Sequence, residues 1–426
     1  MATFPEATVP MKKKKKSSAA PPAPAAPQPV FAQPAPSPDP TGFKVPHPSD
    51  NSLYNKVNPT LLQPVPSPRG PGSPIMELAA ALGSAGPAAV AAIQKSGQIV
   101  FHMGGDTGSV SGPQTESLVA DKMVADFTDP APANRPAFFF HLGDVVYSFG
   151  EGKYYYDQFY EPYRGYPAPI FAIPGNHDGV VYTGDTATTL EAYLANFCAA
   201  APVVTPDAGG LSRTAMTQPG VYFTLEAPFV RIIGLYSNVL EDPGVISSQG
   251  DASSPLDDRQ TTFLTAELAR AKSDQFAGAV LVAVHHPPYT YGTTHSGSPL
   301  MLADLDASAT AAGFWPHAVL SGHSHNYQRF TRTVGQTEVP YIICGNAGHG
   351  LGAIQEINHQ PIRTPTQSSP TLVFESYDDT DYGYLRVLVA GGQVRIEYHP
   401  ASDGAAAKTP DDVVTVDLAT RLLVAS

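Results

Sequence analysis

Five short segments of the chain carry side chains that are common metal ligands in proteins. The segments are GDTG (105–108), GDVVY (143–147), GNHD (175–178), VAVH (282–285) and GHSH (322–325). Their donor side chains are Asp106, Asp144, Tyr147, Asn176, His285, His323 and His325. Carboxylate oxygens suit hard cations, and imidazole nitrogens suit Fe, Mn, Zn or Co. Seven such donors brought to one place would suit two adjacent ions better than one.

Each of these segments follows or closes an apolar run that is typical of a β-strand. The runs are QIVFHMG, AFFFHLG, IFAIPG, AVLVAV and PHAVLSG. Strand ends that gather at one edge of a sheet bring distant residues together, so we predict a metal centre there. Two ions about 3.5–4 Å apart form a clamp for in-line displacement at phosphorus. The alternative, that the Asp and Asn residues only cap helices, leaves the three histidines unexplained.

Tyr147 is the unusual donor in this set. A phenol with a pKa near 10 becomes a good ligand only beside a strongly acidic cation, of which Fe(III) is the obvious example. Tyr147 also lies three residues beyond a predicted strand, where an aromatic ring could simply pack under the segment YYYDQFYEPY (154–163). Asn176 offers a neutral carbonyl oxygen, which would leave its metal more electrophilic than a third carboxylate would.

Composition narrows the class of protein. The chain has 426 residues, 42% of them hydrophobic, which is enough for a sizeable core. A formal net charge of -13 argues against a nucleic-acid-binding surface, which needs a basic patch. The two cysteines, Cys198 and Cys344, support no disulfide framework. No apolar run approaches the roughly 20 residues of a transmembrane helix.

The N-terminal part differs in composition from the rest, since 19 of the 44 prolines lie in the first 75 residues. Residues 1–72 are therefore predicted to be a disordered Pro/Ala-rich tail. Its run from Lys12 to Lys16 is typical of a solvated charge block, or of an electrostatic tether to an anionic surface. The proline-rich stretch that follows lacks the apolar region of a signal peptide. This favours a cytoplasmic location and leaves a periplasmic or secreted one open.

Beyond the tail, residues 73–97 are predicted to form a short helical lead-in, and residues 98–426 one α/β domain. Strands are expected at 98–104, 137–142, 169–173, 279–284 and 316–321. Helices are expected at 114–127, 154–163 and 261–272. Two hairpins are expected, one over 221–237 and one that turns at Gly391-Gly392.

The five motifs, in this order, resemble those of the calcineurin-like metallophosphoesterase superfamily, and specifically of its purple acid phosphatase branch. The resemblance covers residues 98–326, and YGYLRVLV near the end is similar to the family's closing hairpin. It implies an α/β fold in which two mixed β-sheets pack as a sandwich flanked by helices. The chain looks like the single-domain bacterial relatives, because a Pro-rich tail stands where plant-type members carry a β-sandwich domain.

The resemblance also implies roles for the donors. Fe(III) would be held by Asp106, Tyr147 and His325. A divalent ion (Fe, Zn or Mn) would be held by Asn176, His285 and His323, and Asp144 would bridge the two metals. His177 would donate a hydrogen bond to phosphate or protonate the leaving group, and His295 would face the phosphate as well.

The implied activity is hydrolysis of the phosphate monoester of a small molecule by attack of a metal-bound hydroxide. A phosphodiesterase or nucleotide hydrolase on the same metals is the alternative. A scaffold protein with a vestigial metal core fits the complete ligand set less well. Asp178 is expected to orient a neighbouring histidine, and His286 to fix a turn or to support a ligand without binding metal itself. His102 and His141 are expected to be paired core residues. His349 is a candidate for the rim of the site. The oligomeric state is left open by the sequence.

Overall fold

The structure is a computed structural model that describes residues 64–181, 187–238, 242, 244–254, 256–403 and 409–424. All of these residues belong to one compact unit. The α-helices are α1 (Leu78–Ala81), α2 (Gly86–Ser96), α3 (Gln114–Ala125), α4 (Asn176–Gly179), α5 (Glu191–Phe197), α6 (Arg259–Ser273) and α7 (Pro299–Ala312). Short 3-10 turns lie at Gly83–Ala85, Asp126–Thr128, Pro132–Asn134, Gly152–Tyr154 and Pro206–Ala208.

The strands form two large sheets and one small one. The six-stranded sheet contains β2 (Gln98–Gly104), β3 (Phe139–His141), β4 (Ile170–Ala172), β15 (Gly383–Ala390), β16 (Gln393–Pro400) and β17 (Asp412–Asp417). The nine-stranded sheet contains β1 (Ile75–Glu77), β5 (Phe223–Ala227), β6 (Val230–Leu235), β7 (Ala279–Val284), β8 (Ala318–Ser321), β9 (Tyr327–Val334), β10 (Thr337–Cys344), β13 (Thr366–Ser369) and β14 (Leu372–Asp378). The small sheet pairs β11 (Glu356–Ile357) with β12 (Gln360–Pro361).

The two large sheets pack face to face, as the resemblance implies. One apolar cluster joins Phe101 of β2 and Val387 of β15 to Leu281 of β7 and Leu320 of β8, across the space between the sheets. The outer faces are covered by helices, with α6 and α7 on the nine-stranded sheet and α3 on the six-stranded one. The predicted fold class, two mixed sheets flanked by helices, is confirmed.

Strand β7 shows why its sequence has no polar alternation. Its parallel neighbours are β6 and β8, and all six of its residues are buried. Leu281 faces the core between the sheets, whereas Val280 and Val282 face the helices. A parallel strand covered on both faces reads as a continuous apolar run.

Most predicted elements lie where the periodicity places them. The hairpin β5–β6, helix α6 and the hairpin β15–β16 agree with the sequence to within a few residues. The lead-in holds two short helices but begins with a strand, β1, that pairs in parallel with β5. The segment predicted as an aromatic helix is a 3-10 turn followed by a π-helical turn at Tyr156–Tyr160.

Residues 64–72 contact the domain, although their composition places them in the tail. Val65 is buried in the core, and the Arg69 guanidinium donates hydrogen bonds to the carbonyl oxygens of Thr217 and Gln218. Arg259 of α6 donates to Ser67 Oγ. Proline does not prevent this docking, because the segment packs without joining a sheet. Residues 1–63, with the lysine run, lie outside the described residues.

No helix in the described parts of the chain has both the length and the apolar character needed to cross a membrane.

Candidate metal centre

The donor segments converge at the carboxyl ends of strands from both large sheets. GDTG, GDVVY and GNHD follow β2, β3 and β4, which lie side by side and parallel. VAVH and GHSH close or follow β7 and β8, which are also parallel neighbours. The predicted convergence at a strand-end edge is therefore what the topology produces.

The backbone is strained where it presents the donors. Asp106, Asp144 and His323 have φ angles of 58°, 56° and 67°, in the left-handed region that non-glycine residues rarely adopt. Neighbouring glycines allow close approach, since a Cβ on Gly175 would lie 2.0 Å from Asp144 Oδ1 and one on Gly322 would lie 2.4 Å from Asp106 Oδ2. Strain of this kind is characteristic of functional sites.

Asp106, Tyr147 and His325, which we call the tyrosine triad, bring their donor atoms into a small triangle. Tyr147 Oη lies 3.0 Å from Asp106 Oδ1 and 3.4 Å from His325 Nε2. The third edge, from His325 Nε2 to Asp106 Oδ1, is 3.5 Å. Ligands bound at about 2.1 Å to one ion lie roughly 3.0–3.4 Å from one another. The three donors therefore fit a shared cation.

A second group forms around Asp144, His285 and His323. One donor atom from each lies within 4.8 Å of the others, and all three residues are buried. Asp144 Oδ2 is 3.2 Å from His285 Nε2. These two atoms form an ion pair with each other, but neither they nor His323 Nε2 make a hydrogen bond in the structure, and leaving buried polar atoms without one is costly. Metal binding would satisfy all three, so this donor set also fits a cation.

The remaining predicted ligand and the ring of His285 are held by local structure. Asn176 is fully buried and begins α4, between Gly175 and His177, which both contact the Asp144 carboxylate. The Nδ1–H of His285 donates to the Leu142 carbonyl oxygen at 2.9 Å. That bond fixes the tautomer and turns Nε2 toward the site.

The buried charges of the centre depend on one another. Burial raises the pKa of the Asp106 carboxyl to about 7. Burial would also raise the pKa of Asp144, but His285 and His177 hold it below its ordinary value. Burial lowers the pKa of His285, yet Asp144 and Asp106 raise it overall to about 10. A bound cation would join this ionic cluster by displacing protons from it.

The Tyr147 phenol is fully buried, and its pKa lies well above the ordinary value because of burial and the nearby carboxylates Asp106 and Asp144. It donates its proton to Asp106 Oδ1. Packing beneath the aromatic segment does not explain this position, because the hydroxyl points at two other predicted ligands. Only a strongly acidic cation would compensate for loss of its proton.

The two predicted catalytic histidines lie beside the donors. The His177 backbone N–H donates to Asp144 Oδ1 at 3.0 Å, and its Nδ1–H donates to the Ser148 carbonyl oxygen at 2.8 Å. The His295 ring lies 4.2 Å from that of His323 and 5.1 Å from that of His325, measured between centroids. The structure therefore places both at the predicted centre.

The supporting residues are partly as expected. His102 is paired with Asp126 and Tyr166, and His141 with Thr107 and the Gly143 amide, as core histidines should be. His286 contacts Ser237 at 2.6 Å and the ring of His323. Asp178 was expected to orient a histidine, and this is wrong. Its carboxylate accepts from the amides of Gly175, Val145 and Val146, and so joins two donor loops.

Two further residues reach the centre. Asp242, which sequence reasoning missed, lies 3.5 Å from His323 Nε2 and 3.8 Å from His295 Nδ1. It stands in a loop without motif or strand-end position, so no local signal marks it. His349, only a rim candidate in the sequence, stacks on Tyr147 with ring centroids 3.7 Å apart. The glycines of GNAGHG were the one indication that its loop approaches another backbone closely.

Part of the chain matches a known protein family. Residues 119–327 match the sequence model of the calcineurin-like phosphoesterases, a segment that holds four of the five motifs and begins after GDTG. Comparison with curated protein sequences gave no match.

Two solved structures share the fold. A purple acid phosphatase from yellow lupin (Lupinus luteus) seeds superposes with a TM-score of 0.51 and 15% identity, over 75% of this chain and 54% of the lupin chain. GAP50, described as the anchor in the inner membrane complex of Plasmodium, superposes with a TM-score of 0.51 and 15% identity, over 76% of this chain and 91% of the GAP50 chain. This chain thus spans about half of the lupin enzyme, and at such identities the likeness concerns the fold alone.

Proposed function

Because the chain belongs to the calcineurin-like phosphoesterase family, we propose that it is a phosphate monoesterase of the purple acid phosphatase type, with two metal ions. The observation that carries the proposal is the tyrosine triad, in which a buried phenol, a carboxylate and an imidazole lie 3.0–3.5 Å apart. A phenol in the donor set favours Fe(III) in that position. The group of Asn176, His285 and His323 would take a divalent ion, and Asp144 would bridge.

The metals, when bound, would supply Lewis acidity toward the phosphate oxygens and lower the pKa of water toward 7. The chain's own contribution is to hold the donors rigidly. Strained backbone at Asp106, Asp144 and His323 aims each side chain before substrate arrives. Preorganised groups of this kind need no rearrangement at the moment of reaction.

His177 is proposed to handle the proton of the leaving alcohol. Its Nδ1–H is fixed by the Ser148 carbonyl oxygen, so the ring cannot turn away and proton transfer must use Nε2. The ring also packs against Tyr147, with centroids 4.3 Å apart. His295, whose ring centroid lies 5.1 Å from that of His325, is proposed to face the phosphate.

The fold by itself does not decide between enzyme and scaffold, because a protein described as an anchor shares it. What favours an enzyme is the intact donor set, with buried atoms of Asp144, His285 and His323 that have no hydrogen bond. A scaffold would gain nothing by keeping them.

The proposal is tested by comparing kcat/KM for nitrophenyl phosphate and for bis-nitrophenyl phosphate with purified, metal-loaded protein. We expect the monoester to be the better substrate. If the protein prefers the diester, its activity is that of a phosphodiesterase and not of a monoesterase. If it turns over neither substrate, the proposal that it is an enzyme is contradicted.

The role of His177 has its own test. Replacing it in His177→Asn should lower kcat for an alkyl phosphate by about a hundredfold, the size typical of general acid–base catalysis. The loss should be much smaller for nitrophenyl phosphate, whose leaving group needs no proton, when kcat is expressed per bound metal for both substrates. Equal losses on both substrates would show that His177 does not protonate the leaving group.

A further inference from the structure

His349 lies outside the five motifs, in the loop that follows β10, yet it contacts every member of the tyrosine triad. Its backbone N–H donates to the Asp106 carbonyl oxygen at 2.8 Å. Its ring stacks on that of Tyr147, with centroids 3.7 Å apart and planes at 13°. It also meets the His325 ring edge-on at 4.7 Å.

The ring of His349 is itself fixed in place. Its Nδ1–H donates to the Gly108 carbonyl oxygen at 2.8 Å, which sets the ring plane. Backbone and side chain thus both attach to GDTG, the segment that carries Asp106. The ring of Tyr147 is held from a second direction by His177, at 4.3 Å between centroids.

The loop that carries His349 lies close to the GDTG segment. The Gly105 amide donates to the Cys344 carbonyl oxygen at 2.9 Å, and the Ala347 amide donates to that of Gly105 at 3.2 Å. A Cβ on Gly348 would lie 2.2 Å from the Thr107 carbonyl oxygen, so only glycine allows the two backbones to lie this close. The loop therefore delivers His349 to one defined position.

We propose that His349 is a positioning residue of the tyrosine triad, which fixes the orientation of the Tyr147 and His325 rings and thereby the retention of the metal held there. The inference rests on the proposed function, because it assigns a metal to the triad. A ring held on its face cannot tilt, so the direction of its oxygen is fixed. Residues that orient metal ligands typically change metal affinity about 10–100-fold when replaced.

Three variants separate the parts of this role. His349→Phe keeps an aromatic ring for Tyr147 but loses the bond to Gly108. His349→Asn keeps a side-chain donor but loses the stack. His359→Asn is the matched control, because His359 is exposed on the turn between β11 and β12, where its φ of 59° suits asparagine.

The measurement is release of each metal to a chelator, with the visible spectrum recorded in parallel. For His349→Asn we expect release of iron about tenfold faster or more, and a displaced tyrosinate charge-transfer band. The divalent metal should leave at the wild-type rate. His349→Phe should lie between wild type and His349→Asn, and His359→Asn should match wild type. Thermal unfolding of the metal-free variants checks that they fold.

Iron release within twofold of wild type and an unmoved band in His349→Asn would overturn the inference. Equal acceleration for both metals would also overturn it, since that outcome marks a general support of the loop. A wild-type protein without a charge-transfer band contradicts the proposed Fe(III) site instead. In that case the same release assay is carried out with Zn²⁺ or Mn²⁺ bound in place of iron. His349 is then tested by whether one of the two bound ions leaves faster than in wild type, as expected, or both do.

Discussion

Buried polar groups are treated in opposite ways in two regions of this molecule. Among residues that are not predicted metal ligands, Gln218 accepts from the Ala172 amide at 2.8 Å and donates to the Ala172 carbonyl oxygen at 2.9 Å. Gln260 does the same for Tyr236, at 2.8 Å in both directions. At the strand-end edge, atoms of Asp144, His285 and His323 are equally buried but make no hydrogen bond.

This difference separates buried groups that stabilise the fold from buried groups that could bind a metal. A buried atom without a partner costs about 1–3 kcal/mol, so a chain keeps it only for a reason. One such atom alone means little, because Tyr155 and Tyr163 also have hydroxyls without a hydrogen bond. At the candidate metal centre, by contrast, one donor atom each from Asp144, His285 and His323 lie within 4.8 Å of one another, and Asp144 and His323 stand on strained backbone.

The largest effect is expected from His323→Asn, in which asparagine tolerates the φ of 67°. Phosphatase activity should fall by at least about a hundredfold, since loss of a ligand exceeds the effect of altering its support. The divalent metal should be lost. Stability of the metal-free protein should change less than in the glutamine variant described next, because His323 Nε2 makes no hydrogen bond to lose. Activity and metal content, with denaturant unfolding of the metal-free protein, check this. Retained turnover would remove His323 from the site.

Gln218→Ala is the converse change. It leaves the Ala172 amide buried without a partner, whereas the Ala172 carbonyl oxygen keeps the hydrogen bond from the Tyr193 hydroxyl. The free energy of unfolding should therefore fall by about 2 kcal/mol. Metal content and kcat of the folded fraction should stay at wild-type values. Urea unfolding measures the loss of stability, and metal analysis measures the metal content. A loss of metal that matches the loss of stability would mean that the two regions are not separable.

A smaller effect should appear in the pH dependence of stability. Burial lowers the pKa of His317 to about 4, and its ring accepts from the Val280 amide and donates to the Leu418 carbonyl oxygen. In the unfolded chain a histidine titrates near 6.5, so between the two values the unfolded state binds the extra proton. Stability from this group is full above pH 6.5 and is lost as the pH falls toward 4.

At pH 5 the loss should be about 2 kcal/mol, judged from the separation of the two pKa values. In His317→Gln the titrating group is gone, so the stability difference between wild type and variant should narrow by that amount from pH 8 to pH 5. Urea unfolding of both proteins at the two pH values measures it. An unchanged difference would show that His317 does not titrate as its burial requires.

The sequence pattern predicted the strands that precede the five motifs and the convergence of those motifs, because strand ends carry their own pattern. The fold class was predicted from the resemblance. Helix α7 and the hairpin β9–β10 were not predicted. The π-helical turn at Tyr156–Tyr160 arises from tertiary packing of its aromatic rings, which periodicity does not record. Asp242 and the stacking of His349 depend on loops that cross the site from elsewhere. The ligand roles themselves stay predictions that only metal binding will test.

We propose that the chain holds two different metals, one of them iron on Tyr147. Metal analysis of purified, iron- and zinc-loaded protein, with a visible absorption spectrum, tests it most directly. We expect two metals per chain and a charge-transfer band that Tyr147→Phe abolishes while the second metal stays bound. One metal or none per chain, or a band that survives Tyr147→Phe, would contradict the account.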